Sequence, residues 1–120
     1  MKDNAIRDKS FAFALRVVKL AKYLEGKKKE FVLSRQVLRS GTAIGALVRE
    51  AQHAESKADF IHKMSIALKE ANETLYWLEL LSQGAYIGEE SYESIRSNSD
   101  ELVKLLVAIV KTAKVAKRSE

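Results

Sequence analysis

This sequence predicts an all-α fold, an antiparallel up-down-up-down four-helix bundle. Three observations carry that expectation. The 120 residues contain no proline and only five glycines, too few chain breakers for the many turns of an all-β protein. Apolar residues make up 47 % of the chain and recur at helical spacing in four stretches. The links between those stretches are short, which folds consecutive helices back on one another. One domain over residues 8–118 is expected, long enough to bury a core without disulfides or metals.

The first helix is expected to start near Asp8 or Ser10, either of which can cap it. Its core stripe is Phe13, Val17, Leu20 and Leu24, and Gly26 marks its stop. Lys27, Lys28 and Lys29 follow, a polar link suited to a helix C-terminus. The second helix begins between Glu30 and Ser34 and carries the stripe Val37, Gly41, Ile44, Val48, Ala51. Gly41 and Gly45 each cost about 1 kcal/mol against alanine inside a helix. Close approach of a neighbouring backbone would offset that cost.

Ser56-Lys57-Ala58-Asp59 reads as a capping box that opens the third helix, with Asp in place of Glu or Gln. Its core stripe is read as Ile61, Met64, Leu68, Ala71, Leu75 and Leu78, with Gly84 as the C-terminal glycine. Glu89 and Glu90 sit in the first turn of the fourth helix, where carboxylates are favoured. Its stripe is Ile95, Leu102, Leu106, Ile109 and Ala113.

Charge is distributed in blocks. The net +5 divides into +7 over residues 1–50, −6 over 51–103 and +4 over 104–120. Such a basic–acidic–basic pattern suits head-to-tail self-association or binding to a polyanion. On the second helix Arg35, Arg39 and Arg49 fall within about 80° of arc, opposite the core stripe. On the fourth, Lys104, Lys111 and Arg118 recur every seven residues, with Lys114 nearby. These seven cations are the candidate phosphate-binding residues, because Lys and Arg neutralise phosphates and release counterions. Nothing in the pattern reads bases. The third helix places Ile66, Trp77, Leu80 and Leu81 away from its core stripe, and these form the candidate subunit interface.

Most other chemistry is excluded. The absence of cysteine removes disulfides, thiolate zinc sites and cysteine nucleophiles. The longest apolar run, Leu105 to Val110, is far short of a membrane span. The first ten residues lack the apolar core of a signal peptide, so a cytoplasmic protein with no membrane partner is expected. Two acid-x-x-His pairs, Glu50–His53 and Asp59–His62, flank a loop rather than face a bundle core. A di-iron carboxylate site needs inward carboxylates from the other helices as well, so no metal or other cofactor is expected. No serine sits in a nucleophile elbow and no phosphate loop is present, so no enzyme is expected.

Two adjoining segments carry a family resemblance: RSGTAIGALVREAQHAES, Arg39 to Ser56, and DFIHKMSIALKEANETLYWLELL, Asp59 to Leu81. They resemble the small four-helix-bundle proteins known as 23S ribosomal RNA intervening-sequence proteins. The resemblance runs from Phe11 to about Val110, specific in the second and third helices and a matter of apolar spacing in the others. Leu47 departs from it, since the family commonly has asparagine after the Gly45-Ala46 pair. The resemblance implies an antiparallel bundle assembled into a ring-shaped homopentamer. A distant relative, the accessory protein of diversity-generating retroelements, binds nucleic acid and a reverse transcriptase. It therefore implies self-association, RNA or DNA as a partner, and a protein partner of the reverse-transcriptase kind. The alternative is a structural or protein-interaction scaffold that never touches nucleic acid.

Overall fold

The computed structural model describes residues 2–119, with side chains from Ala5 to Ser119. Four helices make up the described chain: α1 (Lys2–Lys27), α2 (Val32–Ala51), α3 (Lys57–Gln83) and α4 (Glu89–Arg118). They pack into an elongated bundle of 52 × 22 × 21 Å. Contacts between helices run in opposite senses. Along α1 and α2, Ala21 meets Ser34, Val17 meets Gly41 and Ser10 meets Gly45. Along α2 and α3, Arg39 meets Glu70 and Glu73, Ser40 meets Thr74, and Glu50 meets Lys63. Along α1 and α4, Arg16 meets Asn98 and Lys9 meets Glu101. Each helix is therefore antiparallel to its neighbour, as the short links require.

The chemistry of the helix ends differs from expectation at the first helix and agrees at the third. α1 reaches back to Lys2 instead of starting at Asp8 or Ser10. Ile6 and Ser10 are both buried and extend the Phe13–Val17 stripe toward the N-terminus. The Ser10 hydroxyl donates back to the Arg7 carbonyl at 3.1 Å instead of capping. Gly26 lies inside the helix, and the left-handed residue that ends it is Lys29, at φ 54°. The next residue, Glu30, fronts α2: its carboxylate accepts from the backbone N–H groups of Val32, Leu33 and Ser34 at 2.8–3.3 Å. Those are three of the donors that a helix N-terminus leaves without a partner.

Ser56 caps α3 as its sequence predicts, its hydroxyl accepting from Asp59 N–H at 3.0 Å. Asp59 reaches back to accept from Glu55 N–H at 3.2 Å, one residue outside the usual reciprocal bond. Gly84 is the C-cap, but Ala85 takes the left-handed conformation, at φ 65°. Gly84 is needed for a different reason. A Cβ there would lie 2.9 Å from the Leu80 carbonyl.

The predicted stripe of α2 is buried at every position. That of α3 is turned. Met64, Ala71 and Leu78 are buried as expected, but Ala67, Thr74 and Leu81 complete the inward face, while Leu68 and Leu75 are half-buried. The small residues let α3 approach its neighbour closely. Thr74 Oγ1 lies 2.9 Å from Ser40 Oγ of α2 and donates to its own Glu70 carbonyl at 2.7 Å. Leu81 is thus a core residue with no exposed surface, which corrects its placement on the outer face.

The seams of the bundle are unequal. Val17 packs directly under Gly41, where a Cβ would meet its two methyls at 2.8 Å. The seam between α1 and α4 is the sparsest, and three surface grooves open along it.

Candidate nucleic-acid interface

All seven predicted cations are solvent-exposed: Arg35, Arg39 and Arg49 on α2, and Lys104, Lys111, Lys114 and Arg118 on α4. They form two rows on separate helices, not one cluster. Local sequence explains each row. The inward face of α2 is small and aliphatic, which leaves long charged side chains only the opposite side. Residues 102–118 of α4 contain five cations and no carboxylate. Near a helix C-terminus such charges are also favoured by the backbone dipole.

The surroundings of the cations separate them. Arg39 is engaged. Its guanidinium pairs with Glu70 at 3.4 Å and more closely with Glu73. Both carboxylates hold the Arg39 pKa above its ordinary value, the hydrogen bond to Glu73 most strongly. The Glu73 pKa is in turn held below the usual carboxylate value, first by the Trp77 indole N–H donated to it at 3.0 Å, then by Arg39. Arg39 is therefore a strap between α2 and α3 whose charge is largely balanced within the chain, and it is a weaker phosphate ligand than its position suggested. Arg49 lies over the Phe11 ring of α1, 5.2 Å from its centroid, a cation–π arrangement that leaves the guanidinium edge open. Among the described residues, Arg35, Lys104, Lys111, Lys114 and Arg118 pair with no carboxylate.

The candidate subunit face is also redistributed. Ile66 and Trp77 are half-buried on the flank of α3 that meets α2, and Trp77 packs against the core. Its ring meets Tyr76 edge-on at 5.0 Å. Leu80 remains exposed, beside the more exposed Tyr76. The sequence reading missed a larger apolar pair. Phe11 and Leu15, one turn apart on α1, are each about half exposed, and Arg49 stacks on the first of them. Their signal was available: an i, i+4 pair lying off the Phe13–Val17 stripe.

His53 and His62 are both exposed. Among the described residues, no group of three His, Asp or Glu side chains stands close enough to hold a metal ion. Among the described residues, no helix is long and apolar enough to cross a membrane.

Comparison with known proteins gives the following. The family model described as "23S rRNA-intervening sequence protein" matches residues 2–108. The chain is similar to a protein of unknown function from the S23 ribosomal protein family of Bacteroides thetaiotaomicron, solved by crystallography. The two share 60 % identity over 92 % of this chain and 99 % of that one, with a TM-score of 0.91. No curated protein matches.

Proposed function

This chain belongs to the 23S rRNA-intervening sequence protein family, and from that premise we propose that it is a non-enzymatic, cytoplasmic, homo-oligomeric module that binds RNA or DNA phosphates. One observation carries the reading. Residues 102–118 present Lys104, Lys111, Lys114 and Arg118 on the exposed part of α4 with no carboxylate in that stretch. A solvated face usually interleaves both signs. A single-sign row instead attracts and neutralises a polyanion. Arg35 and Arg49 add a second, sparser row on α2. Neither row offers the convergent geometry that base reading needs, so binding follows backbone charge rather than sequence.

Self-association multiplies the effect. Phe11 and Leu15 on α1 and Leu80 on α3 are among the exposed apolar side chains that a second copy could cover. A pentameric ring is the assembly that the family resemblance implies. A few phosphate contacts per subunit, repeated around a ring, combine into useful affinity without any new contact.

The test is titration of structured RNA and duplex DNA at low and near-physiological salt, with sedimentation run beside it. Binding is expected to be largely independent of sequence and to weaken steeply with salt. Replacing Lys104, Lys111, Lys114 and Arg118 by glutamine should flatten the salt dependence by about one unit of logarithmic slope per lost contact and leave the assembly intact. Absence of binding at micromolar protein in low salt overturns the reading in favour of a scaffold.

A further inference from the structure

We infer that the apolar groove at the α4 C-terminal end of the α1–α4 seam binds an amphipathic helix of a protein partner whose flanks are acidic. The groove, about 390 Å³, is lined by Ala5 of α1, Phe60 of α3 and, on α4, Leu105, Ala108, Ile109 and Thr112. The α1–α4 contacts Arg16–Asn98 and Lys9–Glu101 lie toward the other end. Beyond them the apolar side of α4 continues to Ala116, and among the described residues Ala5 of α1 and Phe60 of α3 line the groove beside it. From Leu105 to Ala116 the groove runs about 16 Å at 1.5 Å per residue, three turns of a partner helix.

Shape and charge together select the occupant. A concave apolar channel accepts a ridge of side chains, as grooves that take helices do. A bilayer would instead meet a convex apolar face. Nucleic acid has phosphates to offer but no apolar ridge to fill the channel. The charge of the lip then sets the partner's flanks. On the helical wheel, Lys104 and Lys111 lie 40–60° beyond Ala108, about one residue position outside the groove. No carboxylate follows Glu101 on α4. On the α1 side Lys9 is held by Glu101 at 2.9 Å, and Asp8, about 60° beyond Ala5 on the wheel, is exposed beside Arg7, so the positive charge left without a carboxylate at the groove is that of Lys104 and Lys111 on α4. Carboxylates along the partner's flank would meet it, giving steering and register, while leucine-like side chains fill the channel.

This inference does not rest on phosphate binding, and its test is separate. The probe is a labelled 18-residue helical peptide with leucine at one face and glutamate on both flanks. Its twin carries lysine for glutamate. Fluorescence anisotropy with the full chain should show micromolar binding of the glutamate peptide and at least tenfold weaker binding of the twin. Ala108→Phe, which fills the groove without changing charge at an exposed position, should weaken the glutamate peptide at least tenfold with unchanged circular dichroism. Lys104→Gln with Lys111→Gln should weaken it several-fold and flatten its salt dependence. Equal binding of both peptides, binding of neither, or indifference to Ala108→Phe overturns the inference. The chain has no cysteine, so Ala108→Cys gives a clean maleimide probe of the assembled protein. Rapid labelling is expected. Protection that disappears on dilution would show a second copy in the groove and also overturn it.

Discussion

The two seams that α1 makes with its neighbours are built on opposite plans. Against α2 it packs side chain on backbone, with Val17 under Gly41 and Ser10 beside Gly45. Against α4 it leaves a run of grooves crossed by two polar ties, Arg16–Asn98 at 2.5 Å and Lys9–Glu101 at 2.9 Å. The first seam holds the bundle together and the second leaves surface available. At the first seam glycine allows the close fit: without a Cβ at Gly41, α2 comes within van der Waals reach of Val17 on α1.

The largest expected effect tests the tight seam. Gly41→Leu should destabilise the protein by about 3 kcal/mol in urea denaturation, the upper part of the usual overpacking range. Its Cβ alone would stand 2.8 Å from both Val17 methyls. Val17→Ala in the same chain should recover part of the loss, and strict additivity of the two changes would show that the contact does not matter. Gly45→Ala should act in the opposite direction. The nearest atoms to its Cβ are those of Ser10, at 3.5 Å or more, ordinary contact, so the melting midpoint should rise with a gain of up to about 1 kcal/mol from helix propensity. A fall would extend the tight packing one turn further than the structure does.

A third measurement sets the α2–α3 seam beside these two. Folding lowers the Glu73 pKa through Trp77 and Arg39. Its stabilisation is therefore present above the ordinary carboxylate range and lost as pH falls through the depressed value. Glu73→Gln should flatten the acid limb of the stability–pH curve relative to wild type, by well under the loss at Gly41 because the pair is partly screened by solvent. The smallest effect belongs to the open seam. Lys9→Met should change stability by less than about 0.5 kcal/mol, since exposed ion pairs contribute little. A cost above 1 kcal/mol would mean that the tie holds α1 and α4 together.

These contrasts also mark what the sequence discloses. The five stripe positions of α2 were legible because they share one side of the helix opposite its arginines, whereas Ser34 and Ser40, buried beside them, carry no apolar signal. α3 was not, since it carries apolar residues around most of its circumference, Ile61, Ile66, Leu68, Leu75, Trp77 and Leu80 among them. Periodicity then marks a helix without fixing its rotation. The small residues Ala67 and Thr74, rather than the larger leucines, turned out to face inward. The exposure of the seven cations followed from helical geometry. The engagement of Arg39 did not, because Glu70 and Glu73 lie more than thirty residues away and meet it only when α2 and α3 pair.

The sparse α1–α4 seam has a kinetic consequence. Every well-packed seam joins helices that are consecutive along the chain, so each can form by closing one short link. Among the described residues, the pairing of the first helix with the last is the one with least packing. Low average sequence separation between contacting residues speeds folding, and helical bundles of this kind reach the native state in microseconds to milliseconds. α1 and α4 should dock last, over a barrier set by the first three helices, so substitutions at Lys9 or Glu101 should alter unfolding rates and leave folding rates unchanged.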